Sequence, residues 1–144
     1  MITRTWLKRA GKAIPMDLRR EIYEELVLLR TRAPEITGAL TCTVDGMLVT
    51  TDLAANTEQT AALTSALLSM SRRMTDLAQV GRLEETLISG TRGHTASYAA
   101  GPKLVLTVLA GPGANLGLLR IEGRKTAAKL AAIVEREIAT NNRE

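Results

Sequence analysis

Six consecutive residues, Leu104-Val105-Leu106-Thr107-Val108-Leu109, constrain the fold more than any other stretch of this chain. Successive side chains of an extended strand point to opposite faces. This run therefore carries apolar groups on both faces, and both must be shielded from water. It predicts a central strand of a sheet with helices above and below. Branched and long aliphatic side chains must supply the core, because aromatic residues are 2% of the chain and Phe is absent. The 144 residues, 45% of them apolar, fit a single domain.

The rest of the chain supplies elements to surround that strand. Pro15 suits the start of a helix, and Leu18, Ile22, Leu26 and Leu29 then recur on one face until Pro34. Ile36 to Val44 alternates, with Leu40, Cys42 and Val44 on one side and Ala39, Thr41 and Thr43 on the other. Asp45-Gly46 is a hairpin signal, and Met47 to Thr51 returns as the second strand. Asn56 or Thr57 is positioned to cap a second helix that Gly81 closes. Leu63, Leu67, Met70, Met74 and Leu77 form its apolar stripe, which predicts its buried face. Leu68 then falls on a back face with Ala61, Ser65 and Arg72. It is either an ordinary exposed leucine or part of a surface for a second copy of the helix or another partner.

Leu83 to Ser89 and Thr95 to Ala100 read as strands joined by a Thr91-Arg92-Gly93-His94 turn, and Gly101-Pro102 leads into Leu104–Leu109. Asn115 is a good cap for a last helix whose inner face is Leu116, Leu119, Ala127, Leu130, Val134 and Ile138. Gly123 lies within that apolar face. A glycine inside a helix costs about 1 kcal/mol relative to alanine, so its presence predicts close approach by a neighbouring element. The fold class is α/β in the broad sense, more strictly α+β. It is a three-layer, profilin-like arrangement of a five-stranded antiparallel sheet with helices on both faces, in the order α-ββ-α-βββ-α. Residues 1–15 form a basic arm, 16–140 the domain, and 141–144 a tail expected to fray.

Charge and motifs exclude several functions. Of 19 Lys and Arg, Arg4, Lys8, Arg9 and Lys12 lie in the first 15 residues, and the remaining 15 are balanced by 15 Asp and Glu. A nucleic-acid binder spreads its basic residues over one face of its fold, so no nucleic-acid partner is expected. The arm is suited to touch an acidic partner or a membrane surface, but no window is apolar enough for stable insertion. No apolar run marks a signal peptide, and lone Cys42 fits a reducing compartment, so a cytoplasmic location is expected. Gly111-Pro112-Gly113-Ala114-Asn115-Leu116-Gly117 misses the dinucleotide spacing and lacks a phosphate-loop lysine. It reads as a loop and helix cap. His94, the one histidine, has no nucleophile motif beside it and reads as a solvated turn residue. Glu84 and Glu85 on a strand point to opposite faces and make no catalytic pair. Arg72 and Arg73, followed by Asp76, read as a solvated helix face rather than an arginine finger. No catalytic residue, metal or cofactor is expected.

The order and spacing of several strings resemble the roadblock, or dynein-light-chain-like, domain family. Ile36-Thr37-Gly38-Ala39-Leu40 leading to Asp45-Gly46-Met47-Leu48-Val49 resembles the family's first hairpin. Thr95-Ala96-Ser97-Tyr98-Ala99-Ala100-Gly101 with Leu104–Leu109 resembles its last two strands, and Asn115-Leu116-Gly117-Leu118-Leu119-Arg120 the start of its final helix. The likeness runs from about Met16 to Ile138; the basic arm and the lack of Phe depart from it. It implies a non-enzymatic homodimer or heterodimer, joined at third-strand edges with the second helices paired. It also implies a role as regulator or scaffold for a small Ras-like GTPase or related signalling protein. On this expectation the dimer interface comprises Ala61, Ser65, Leu68, Arg72, Leu83, Glu85 and Leu87, and the partner surface Ser69, Arg73 and Asp76. A small-molecule sensor or an assembly scaffold without a GTPase is the alternative.

Overall fold

The computed structural model describes residues 14–143. The basic arm, apart from Ile14 and Pro15, therefore lies outside the described residues. Helix α1 (Met16–Arg32) starts after Pro15, which holds φ −53° and ψ 140°. It buries Leu18, Ile22, Leu26 and Leu29, as their spacing predicts. Strands β1 (Ile36–Thr43) and β2 (Leu48–Thr51) form the first hairpin, with Gly46 in its turn at φ +92°. Helix α2 (Thr57–Ala78) is followed by β3 (Glu85–Gly90), β4 (Gly93–Ala100), β5 (Leu104–Ala110) and helix α3 (Leu116–Arg143).

The five strands are antiparallel in the order β2-β1-β5-β4-β3. Strand β5, the doubly apolar run, lies at the centre. Register places Val105 beside Cys42 and Thr107 beside Leu40. Leu104, Leu106 and Val108 face α1 and α3, in a core with Ile22, Leu26, Tyr98 and Leu130. Val105 faces the other way, in a smaller core with Leu40, Cys42, Ala61 and Leu68 beneath α2.

Several expectations are corrected here. The faces of α2 are reversed: Ala61 and Leu68 are buried, while Leu63, Met70, Met74 and Leu77 are exposed. Two hydroxyls fix this roll. Thr107 Oγ1 donates to Thr64 Oγ1 at 3.3 Å, and Ser65 Oγ donates to the Val44 carbonyl at 2.5 Å. The small side chains of Ala61, Thr64 and Ser65 let α2 lie close to the sheet, which the longer stripe would not. Asn56, although adjacent to the helix, makes no side-chain cap bond and holds φ +58°. The helix ends with Gln79, rather than Gly81, in the left-handed region at φ +57°. Strand β3 begins at Glu85, so Leu83 precedes it. Helix α3 continues to Arg143 through the expected tail, because no Gly or Pro follows Gly123 to stop it.

The first part of α3 matches its reading. Asn115 Oδ1 accepts from the Leu118 amide at 3.0 Å, capping α3. A Cβ placed on Gly123 would lie 2.5 Å from the Tyr98 ring, so the glycine does permit close contact between α3 and β4.

Candidate interaction surface

Helix α2 packs on β1, β2 and β5, leaving the same side of β4 and β3 less covered. Thr64 reaches β5 while Ser65 reaches the end of β1. At about 100° per residue, this roll leaves the Leu63–Leu77 stripe on the side of α2 that faces away from the sheet. Leu63, Met70, Met74 and Leu77 are 69–85% exposed, and Val80 just beyond the helix is 70% exposed. Single exposed apolar residues are ordinary, but a contiguous set marks an interaction site.

Strand β3 adds an open edge to this surface. It pairs with β4 alone, through Glu85↔Tyr98 to Gly90↔Gly93. An unpaired edge is a template for another strand. Thr86 lies opposite Ser97 and Ile88 opposite Thr95, so Ile88 shares the α2 side. Leu87, opposite Ala96, lies on the α3 side; both Leu87 and Ile88 are exposed.

The residues assigned to the interface from sequence divide into three groups. Ala61 and Leu68 are inside the protomer's own core and present no surface. Ser65 is engaged with Val44, and the Glu85 carboxylate turns to α3, where Arg120 Nε donates at 2.8 Å and Arg124 Nη2 at 2.6 Å. Arg72 is exposed, half-buried Leu83 lies in the connector, and Leu87 alone of the set lies on the open strand and is exposed. Ser69, Arg73 and Asp76 are all exposed, on the flank of α2 next to Ser65. The residues missed from sequence are Leu63, Met70, Met74, Leu77, Val80 and Ile88. The small-residue set Ala61, Thr64 and Ser65 was the signal that could have revealed them.

Other chemistry-bearing groups are engaged. Glu84, read as facing away from Glu85, also accepts from Arg124 Nη2, at 2.9 Å, because it precedes the strand. His94 is half-buried in β4 rather than solvated in the turn, and its Nδ1 lies 2.8 Å from Ser89 Oγ. Burial pushes the Cys42 thiol up to about 12. Burial, with the nearby Glu85 charge adding to it, also pushes the Tyr98 phenol up to about 12. Among the described residues, no helix is long and apolar enough to cross a membrane.

The Roadblock/LC7 domain family model matches residues 22–110. The chain belongs to this family. An uncharacterized protein of Methanocaldococcus jannaschii is 33% identical over 114 residues, covering 78% of this chain and 99% of that protein. The gliding protein MglB of Thermus thermophilus superposes with a TM-score of 0.78 at 18% identity, over 86% of this chain and 96% of that one. A Roadblock/LC7 domain from Streptomyces avermitilis superposes with a TM-score of 0.70 at 22% identity, over 76% and 93%. The Roadblock/LC7 fold thus accounts for the α-ββ-α-βββ-α order and the sheet it builds.

Proposed function

We propose that this Roadblock/LC7 protein is a dimeric, non-catalytic regulator or scaffold that binds a small Ras-like GTPase and acts on its nucleotide state. The observation that carries this reading is the open β3 edge, with the unburied apolar stripe of α2 on the same protomer. A second copy related by a two-fold axis pairs β3 with β3 and brings the second α2 to the same face of the joined sheet. The interface is then Leu63, Met70, Met74, Leu77, Val80 and Ile88, with Leu87 retained from the sequence reading. Likeness to MglB and membership of the Roadblock/LC7 family support the GTPase as partner.

In this reading Ser69, Arg73 and Asp76, on the flank of α2 next to Ser65, form the partner surface. The mechanism needs no catalytic group. A dimer that binds the GTP shape of its partner more tightly than the GDP shape shifts the partner toward the first by its differential affinity. Affinity capture with purified small Ras-like GTPases tests the proposal, with a GTP analogue and GDP compared. Retention at least about tenfold stronger in one nucleotide state is expected; no retention in either state overturns it.

A further inference from the structure

A second surface lies at the end of the sheet, away from the α2 stripe. Strand β3 starts opposite Tyr98, so Ala99 and Ala100 of β4 pair with β5 on one side and have no strand on the other. An open groove of about 890 Å³ runs past half-buried Ala99 and on to Gly101 and Pro102, while Ala100 is buried. Arg72, Arg82 and Arg124 line it, with Glu84 the one acidic residue of its lining, and α3 contributes a wall of small side chains, Ala127, Ala128 and Ala131. Arg124 is held by Glu84 and Glu85, whereas Arg72 and Arg82 have no carboxylate partner among the described residues.

We propose that this groove takes an extended acidic segment of a partner protein, laid beside Ala99 with its carboxylates on Arg72, Arg82 and Arg124. The argument joins three features. Ala99, beyond the start of β3 and bordering the groove, offers main-chain pairing to an extended peptide. The arginines stand on both sides of it, because Arg72 is carried by the helix over one face of the sheet and Arg124 by the helix over the other. Successive side chains of a strand point to opposite faces, so two adjacent carboxylates meet arginines on either side. Guanidinium groups bind carboxylates through paired, charge-assisted hydrogen bonds. The groove belongs to one protomer, so the proposal stands apart from the dimer and GTPase readings.

The test uses a fluorescein-labelled nonapeptide with two adjacent glutamates at its centre between Thr and Val residues, and the same peptide with glutamines. Fluorescence anisotropy on the full chain at low salt is expected to show the glutamate peptide binding at least about tenfold more tightly than the glutamine peptide. The Arg72→Ala, Arg82→Ala double variant, with a melting curve matching the native one, is expected to lose at least about fivefold. Amide NMR shifts on peptide addition are expected to cluster at Ala99–Gly101. Equal binding of the two peptides, undiminished binding by the variant, or shifts confined to the α2 stripe overturns the proposal. Tighter binding of inorganic pyrophosphate than of the glutamate peptide also overturns it, and identifies a small-anion site. So does absence of binding at roughly 1 mM peptide.

Discussion

At the residue scale, two leucines on one helix have opposite duties. Leu68 is 2% exposed against Leu40, Cys42 and Val105, whereas Leu63, five residues earlier, is 71% exposed. Truncating a buried leucine removes its transfer energy and leaves a cavity. Leu68→Ala is therefore expected to cost about 2–5 kcal/mol in urea unfolding, and Leu63→Ala less than about 0.5 kcal/mol in the isolated protomer. The reverse order would mean that α2 is rolled the other way. Cys42 and Tyr98 supply a pH dependence. Their acidic groups move from 9.0 and 10.0 to about 12 in the folded chain. Folded pKa values above the unfolded ones mean that the folded state holds these protons more tightly. The stability they contribute is full below the unfolded values and is lost as pH rises through the folded ones. Denaturant midpoints are expected to fall between pH 9 and 12, with a smaller fall in Cys42→Ala. An identical fall in that variant would remove the thiol from the account.

At the element scale, the contact between α3 and β4 depends on one missing methyl group. Alanine in a helix is favoured over glycine by about 1 kcal/mol, so Gly123→Ala would stabilise an isolated helix. Here the added Cβ meets the Tyr98 ring at 2.5 Å, and Tyr98 is buried. Overpacking of this kind costs about 1–3 kcal/mol, enough to outweigh the helical gain. Gly123→Ala is expected to lower stability, and Tyr98→Leu in the same chain to restore part of the loss in a double-mutant cycle. Additive losses would show that the two side chains do not compete for space. This contact was legible in the sequence because a glycine on an apolar helix face sacrifices helix stability, and close packing at that point offsets the sacrifice. The central place of Leu104–Leu109 was legible for a similar reason: a run of long apolar side chains on both faces of a strand calls for cover from both sides. The roll of α2 was not, because the helix carries two apolar sets on different sides and periodicity does not say which one faces the sheet. That choice was made by Thr64 and Ser65, whose partners Thr107 and Val44 are distant in sequence. The interface assignment inherited the error, since Ala61 and Leu68 were placed on the side they do not occupy.

At the scale of the whole molecule, the stripe and the strand edge are both assigned to the proposed dimer. Two-fold pairing is isologous, so every residue near the axis is counted twice. Met74→Glu with Leu77→Glu places four carboxylates in the proposed dimer interface and leaves each protomer's core untouched, because both side chains are exposed. Desolvating unpaired charge costs several kcal/mol, so sedimentation is expected to show dimer affinity falling at least about 100-fold. The melting curve of the dilute protomer should stay in place. If regulation depends on a partner that spans both copies of Ser69, Arg73 and Asp76, the same variant also loses its preference between nucleotide states of the GTPase. Each protomer alone offers half of that surface, and halving the contacts reduces the differential affinity that drives the shift. A variant that becomes monomeric yet keeps full nucleotide preference would place the whole partner site within one protomer. A variant that remains dimeric would remove the α2 stripe from the interface.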